Sequence, residues 1–220
     1  MGLVMLALGC AVLFGLREKA LKPLSVRATV KAGAIGGLAG ALAAAGGFGL
    51  LTMGLIASAI GDFLLALERK TAFALGMMAF LIAHCCYGVI FLSLLTEAGG
   101  AAGPAWPRLI LAVSAVIGAV LMLAWLWRDL GWHRISVPIY MTALLGMAIL
   151  AWQLPWAAWP TMIGALLFLI SDAILAAQTF RQDQNDLPPI LRGHALVWWT
   201  YVAAQALIVT GVLLVAPEAA

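Results

Sequence analysis

The chain has 220 residues, of which 65% are hydrophobic and only 10% charged, and its mean hydropathy is +1.09. A soluble domain of this size cannot bury so much apolar surface, and the apolar runs reach membrane-spanning length, so an ordinary water-soluble fold is excluded. The formal charge of +3 does not imply nucleic acid, because the basic residues lie at helix ends and form no patch interleaved with aromatics.

The fold expected is all-α: a single transmembrane domain over 1–220, a polytopic helical bundle of eight spans. They fall at about 2–16, 28–46, 48–67, 72–95, 107–127, 135–153, 157–179 and 194–216. Span one covers only about 22 Å, so it extends past Arg17 by snorkelling or sits in thinned bilayer. Its start, MGLVMLALGC, has no basic region, and nothing after Arg17 resembles a small-residue cleavage site. It is therefore expected to stay in the mature protein and not to act as a removable signal. Span two is weakly hydrophobic and glycine-rich, with Gly36 and Gly40 four apart, which permits close approach to a neighbouring helix.

Span three carries Asp62 in ASAIGDFLLAL, with Gly54, Ser58 and Asp62 recurring every four residues on one face. Span four places His84 and Tyr87 three apart, beside Cys85 and Cys86. An adjacent cysteine pair cannot easily reach relaxed disulfide geometry, and these two, like Cys10, read as small hydrophobes. A bare HCC run has no spaced-ligand pattern, so no zinc is expected. Span six has Ser136 and Tyr140 four apart with Pro138 between them, and span seven carries Asp172 in LLFLISDAILAAQ. On span eight His194, Trp198, Tyr201 and Gln205 stand at i, i+4, i+7 and i+11, again one face.

Charge placement gives the expected orientation. Arg17, Lys19, Lys22, Arg27, Lys31, Arg69, Lys70, Arg128, Arg134, Arg181 and Arg192, eleven of the twelve basic residues, follow odd-numbered spans, and Arg108 alone follows an even one, by the loop TEAGGAAGPAWP. The positive-inside rule then puts both termini outside and the odd-numbered loops in the cytoplasm of what is expected to be a bacterial inner membrane. Trp106, Trp152, Trp156 and Trp159 mark the outer interface, and Trp127 and Trp132 the inner one.

The two aspartates are the principal functional candidates. A carboxylate at a bilayer's centre costs about 2.5 to 3.5 kcal/mol on the insertion scale, which marks intramembrane acids as functional. An offset of 110 residues pairs MGLIASAIGDFLLAL with IGALLFLISDAILAA, matching Gly54 to Gly164, Ile60 to Ile170, Asp62 to Asp172, Leu65 to Leu175 and Ala66 to Ala176, and also His84 to His194. Four spans per half make this a parallel repeat, with both aspartates facing a pseudo-twofold centre in the cytoplasmic half. Singly, a membrane tyrosine or glutamine is most often a helix-to-helix hydrogen bond. Together these residues imply a polar cavity. The plainest alternative is that each aspartate pairs with a histidine or tyrosine only to hold helices together.

The blocks KPLS at Lys22, ASAIGDFLLAL, FALGMMAFLIAHCCYGVIF, VPIYMTALLGMAILA, GALLFLISDAILAAQTF and TYVAAQALIVTG resemble successive signatures of the YhhN, or lysoplasmalogenase, family. The resemblance runs from residue 22 to 211. It implies an eight-span hydrolase without a known cofactor that cleaves the vinyl-ether bond of lysoplasmalogens, the 1-alkenyl-glycerophosphocholines or -ethanolamines, to a fatty aldehyde and a glycerophospho-base. The family's motif aspartates map onto Asp62 and Asp172. The partners implied are a lysophospholipid substrate and membrane lipids, with no nucleic acid.

That chemistry suits the residues. A vinyl ether is opened by protonating its β carbon; water adds to the resulting oxocarbenium ion, and the hemiacetal collapses. When two carboxyl groups share a site, one tends to keep its proton near neutrality, so one can be acid and the other base and cation stabiliser. Asp172, deeper in its span, is the expected acid. Ser58, His84, Tyr87, Tyr140, His194, Tyr201 and Gln205 would orient water or the leaving oxygen, and Lys22, with Arg192, would hold the phosphate at the cytoplasmic rim unless these are topology charges only. The competing reading is a small proton-coupled lipid transporter or lipid-binding membrane protein. A transporter needs access to both faces, whereas the polar residues here crowd toward one. A metal-dependent hydrolase would need a histidine-rich set, and the chain has only His84, His133 and His194.

Overall fold

The computed structural model describes residues 1–47, 49–101, 105–181 and 187–215. The described residues are built from eight α-helices: α1 Gly2–Arg17, α2 Leu24–Ala44, α3 Leu50–Leu65, α4 Lys70–Glu97, α5 Ala105–Leu126, α6 Ser136–Gln153, α7 Trp159–Phe180 and α8 His194–Val215. Each lies where a span is expected. The largest difference is at α2, which begins at Leu24, directly after Pro23 as N-cap, because a proline stops a helix before it but fits the start of one. The outer ends of the third and eighth expected spans, at 48 and 216, lie outside the described residues, as does part of the glycine-rich loop before α5.

Among the described residues five helical segments are long and apolar enough to cross a membrane: Lys70–Glu97, Ala105–Leu126, Ser136–Gln153, Trp156–Phe180 and His194–Val215. The first three helices fall outside that set. α1 and α3 have 16 residues each, about 24 Å of helix against a hydrocarbon core of about 30 Å. α2 carries both Arg27 and Lys31. α5 is the most exposed of the five segments: only 6% of its apolar window is buried, and Leu109, Ile110, Ile117, Val120 and Leu121 are all exposed.

The helices form two compact units. One comprises Met1–Ile90 with the last turn of α8 from Val212; the other comprises Phe91–Gly211. In the first unit small residues let backbones meet, as expected for helices in lipid. A Cβ on Gly37 of α2 would stand 3.0 Å from the Ala7 nitrogen of α1, and one on Gly61 of α3 would stand 2.6 Å from the Phe80 ring of α4. α2 then closes with a Schellman turn: Gly46 at φ +96 lets Gly46 N–H donate to Ala43 O at 3.0 Å and Gly47 N–H to Leu42 O at 3.1 Å. Past the end of α3, the Arg27 guanidinium of α2 donates to Ala66 O at 3.3 Å and pairs with Glu68.

In the second unit α7 and α8 are in backbone contact. A Cβ on Gly164 would meet Ala204 O at 2.8 Å, and one on Gly211 would meet the Thr161 nitrogen at 2.5 Å. Thr161 Oγ1 donates to Ile208 O at 3.2 Å and Ser171 Oγ to Val197 O at 3.0 Å. Arg181, at the end of α7, pairs with Asp129 after α5 at 2.9 Å and lies 4.9 Å from the Trp125 ring. Several charges that read as topology markers thus also tie helix ends together.

Candidate functional site

In the first unit the polar stripe of α3 is buried as its four-residue spacing implies: Ser58 is 0% and Asp62 1% exposed. Gly54 continues the stripe because the Tyr87 ring of α4 lies against it; a Cβ there would stand 2.5 Å from the ring edge. Tyr87 and His84 of α4 are both buried. Asp62 is held by a residue the sequence reading assigned only to topology. Lys31 Nζ of α2 lies 3.2 Å from Asp62 Oδ1 and 5.9 Å from the Phe14 ring of α1. The carboxylate side chain is 2% exposed and the lysine 19%, so α1, α2 and α3 together surround one ion pair.

An open groove of about 460 Å³ also runs between α2 and α3, lined by Ala32, Gly36, Gly40, Ile56, Ile60 and Phe63 among others. At 100° per residue these α3 positions lie on the face opposite Ser58 and Asp62. The groove is apolar and separate from the acid.

In the second unit the Tyr140 hydroxyl of α6 donates to Asp172 Oδ2 of α7, and both residues are half-buried. Asp172 lies farther from its helix end than Asp62 does, and it is half-buried where Asp62 is sealed. On α8 Trp198, Tyr201 and Gln205 are buried as one face, with Tyr201 edge-on to Phe168 of α7 at 5.5 Å between ring centres. His194, in register with them and the first residue of the helix, is exposed.

Lys22 lies exposed just ahead of α2. Arg192 is exposed in the segment before α8, where its Nε donates to Leu187 O at 2.8 Å. His133, expected in a loop, sits in a short 3-10 turn, where its Nδ1 lies 3.2 Å from Ser136 Oγ and its ring packs against Trp132 and Phe180. Burial there pushes its imidazole pKa below the ordinary histidine value. Among the described residues no three of His, Cys, Asp and Glu are grouped as metal donors.

Each aspartate therefore takes a polar partner from the helix immediately before its own, 31 positions earlier for Asp62 and 32 for Asp172. The partners differ in kind. One is a cation and the other a neutral hydroxyl donor. Lys31 was missed because a charge near a helix start reads as orientation. The signal that could have found it is its position in the eighth residue of α2, two turns past Pro23 and four residues after Arg27 on the same face.

The chain is 35% identical over 170 residues to the lysoplasmalogenase of Mycobacterium bovis, a match covering 73% of this chain and 59% of that protein. It is 34% identical over 173 residues to the human lysoplasmalogenase TMEM86B, covering 76% of this chain and 66% of the human one. A bovine relative, lysoplasmalogenase TMEM86A, is 28% identical over 166 residues, covering 71% of this chain and 62% of its own. The chain thus spans less than two thirds of the length of these relatives. No solved structure matches it. The YhhN family model matches residues 20–212, which takes in every helix but α1 almost entirely, with both aspartates and their partners, and the chain belongs to the YhhN family.

Proposed function

We propose that this protein is a membrane-embedded lysoplasmalogenase, hydrolysing the vinyl-ether bond of a 1-alkenyl lysophospholipid to a fatty aldehyde and a glycerophospho-base. The observation that carries the reading is the pair of aspartates in apolar helices, each held by a polar side chain from the preceding helix. The relatives named lysoplasmalogenase supply the substrate class. In this reading Asp172 delivers a proton to the β carbon of the vinyl ether. Tyr140, hydrogen-bonded to that carboxyl, holds it in place. Asp62 carries the negative charge that favours the oxocarbenium ion and takes the proton of the water that adds. The hemiacetal then transfers its hydroxyl proton to the glycerol oxygen as the C–O bond breaks, and exchange with water returns the carboxyls to their starting state. Ser58, His84 and Tyr87 are the further buried polar groups of the first unit and Tyr201 and Gln205 those of the second, and Lys22 and Arg192 lie exposed where a phosphate can reach them. Incubating the purified protein with a lysoplasmalogen is expected to release free long-chain aldehyde, with or without chelator. Release of glycerophospho-base only from ester lysolipids, with no aldehyde, would overturn the assignment.

The membrane arrangement belongs to the same proposal: eight crossings, with both termini outside the cytoplasm of a bacterial inner membrane. Eleven of the twelve basic residues support it by lying in or near one set of helix connections. A reporter active only outside the cytoplasm should work when fused at Ala220 and fail when fused within RQDQNDLPPILRG. The reverse pattern inverts the protein and moves substrate entry to the outer leaflet.

A further inference from the structure

Lys31 is a charged partner that faces a candidate catalytic carboxylate, and its surroundings are those of a built contact. Its ammonium lies 3.2 Å from Asp62 Oδ1 and over the face of Phe14, which is itself 5% exposed. A lysine kept only to mark a cytoplasmic helix end extends into water or headgroups. This one is four-fifths covered and turned onto a sealed carboxylate. Arg27, one turn earlier on α2, shows the contrast, since its partner Glu68 is 59% exposed and lies past the end of α3.

We infer that Lys31 is a positioning residue for the reaction: it orients the Asp62 carboxylate and supplies its counter-charge, and does not itself touch substrate. This rests on the lysoplasmalogenase reading. Its chemical content is that the two aspartates are unlike by construction, with a fixed cation beside Asp62 and a neutral hydroxyl beside Asp172. A fixed cation at hydrogen-bond range holds one carboxylate oxygen and so fixes which oxygen faces away from it. Loss of the lysine should therefore slow the chemical step and leave substrate binding alone.

The test uses the full-length protein in detergent with a lysoplasmalogen, comparing Lys31→Met, Lys31→Arg, Asp62→Asn and the double variant Lys31→Met/Asp62→Asn. Lys31→Met is expected to lower kcat at least about thirtyfold, with KM changed by less than about threefold, and Lys31→Arg to recover most of the rate. The double variant should be no slower than Asp62→Asn alone, because both changes act through one carboxylate. If Lys31→Met fails to fold, Lys31→Arg and the charge-free double variant carry the comparison, and a Lys31→Arg rate as low as that of Asp62→Asn overturns the inference. So does Lys31→Met at the unaltered kcat, or a double variant slowed by the product of the two single losses. Absence of any turnover by the unaltered protein overturns the lysoplasmalogenase reading together with this one, whereas normal turnover with an indifferent Lys31 overturns this one alone.

Discussion

Asparagine at position 172 is expected to leave the protein folded and to lower aldehyde release from a lysoplasmalogen by at least about a hundredfold, the low end for loss of a general acid or base. Folding should survive because an amide oxygen can still accept the Tyr140 hydroxyl that Asp172 accepts, and the two side chains have nearly the same shape. What the amide cannot do is give up a proton. Asp62→Asn should cost as much by a different route, since it removes a charge that sits 3.2 Å from Lys31 within a sealed site. Here the lysine, with 19% of its side chain exposed, can turn its head outward, which limits the penalty to folding. Aldehyde release and a size-exclusion profile on each variant check both halves. A rate within about tenfold of the unaltered protein, in a variant that elutes normally, removes that aspartate from the mechanism.

The second large effect concerns packing. Gly211→Val should destabilise the protein by about 3 kcal/mol, the upper part of the range for overpacking, or about 6–12 °C in Tm for a chain of this length. The reason is local: a Cβ at Gly211 would stand 2.5 Å from the Thr161 backbone nitrogen, and backbone cannot swing aside as a side-chain tip can. α7 and α8 would have to separate, and the Thr161 hydroxyl would lose its bond to Ile208 O. Gly118→Ala in α5 is the control, because nothing lies within 4 Å of its Cβ position. Equal Tm values for the two variants, measured in the same detergent, would show that the α7–α8 contact is looser than this.

The helices were legible because long apolar runs broken by basic or glycine-containing segments leave few alternatives. α2 was placed four residues late because its first turn is polar, although Pro23 marks its start. The buried faces of α3 and α8 followed from helical spacing, with His194 as the exception that spacing cannot reveal. A helical wheel assigns an angle and says nothing of how far neighbouring helices extend along the axis. The Tyr140 contact pairs two residues that were both candidates, whereas Lys31 required knowing how α2 and α3 align, a register that hydropathy does not carry. Asp62 and Asp172 each lean on the preceding helix, but on partners of different chemistry.

The nearly naked α5 has an evolutionary consequence. Only 6% of its apolar window is buried, against 33% to 50% for the other four long helices. Its 22 residues give about 33 Å of helix, enough to cross the hydrocarbon unaided. Where neighbours constrain shape, a methyl group gained or lost is felt; where the neighbour is fluid lipid, only polarity is. Covered by lipid alone, this helix would be free to exchange leucine, isoleucine and valine among its outward positions. Mutational drift should concentrate there, and selection should act on it through the thickness of the host membrane and hardly at all through the chemistry of the aspartates.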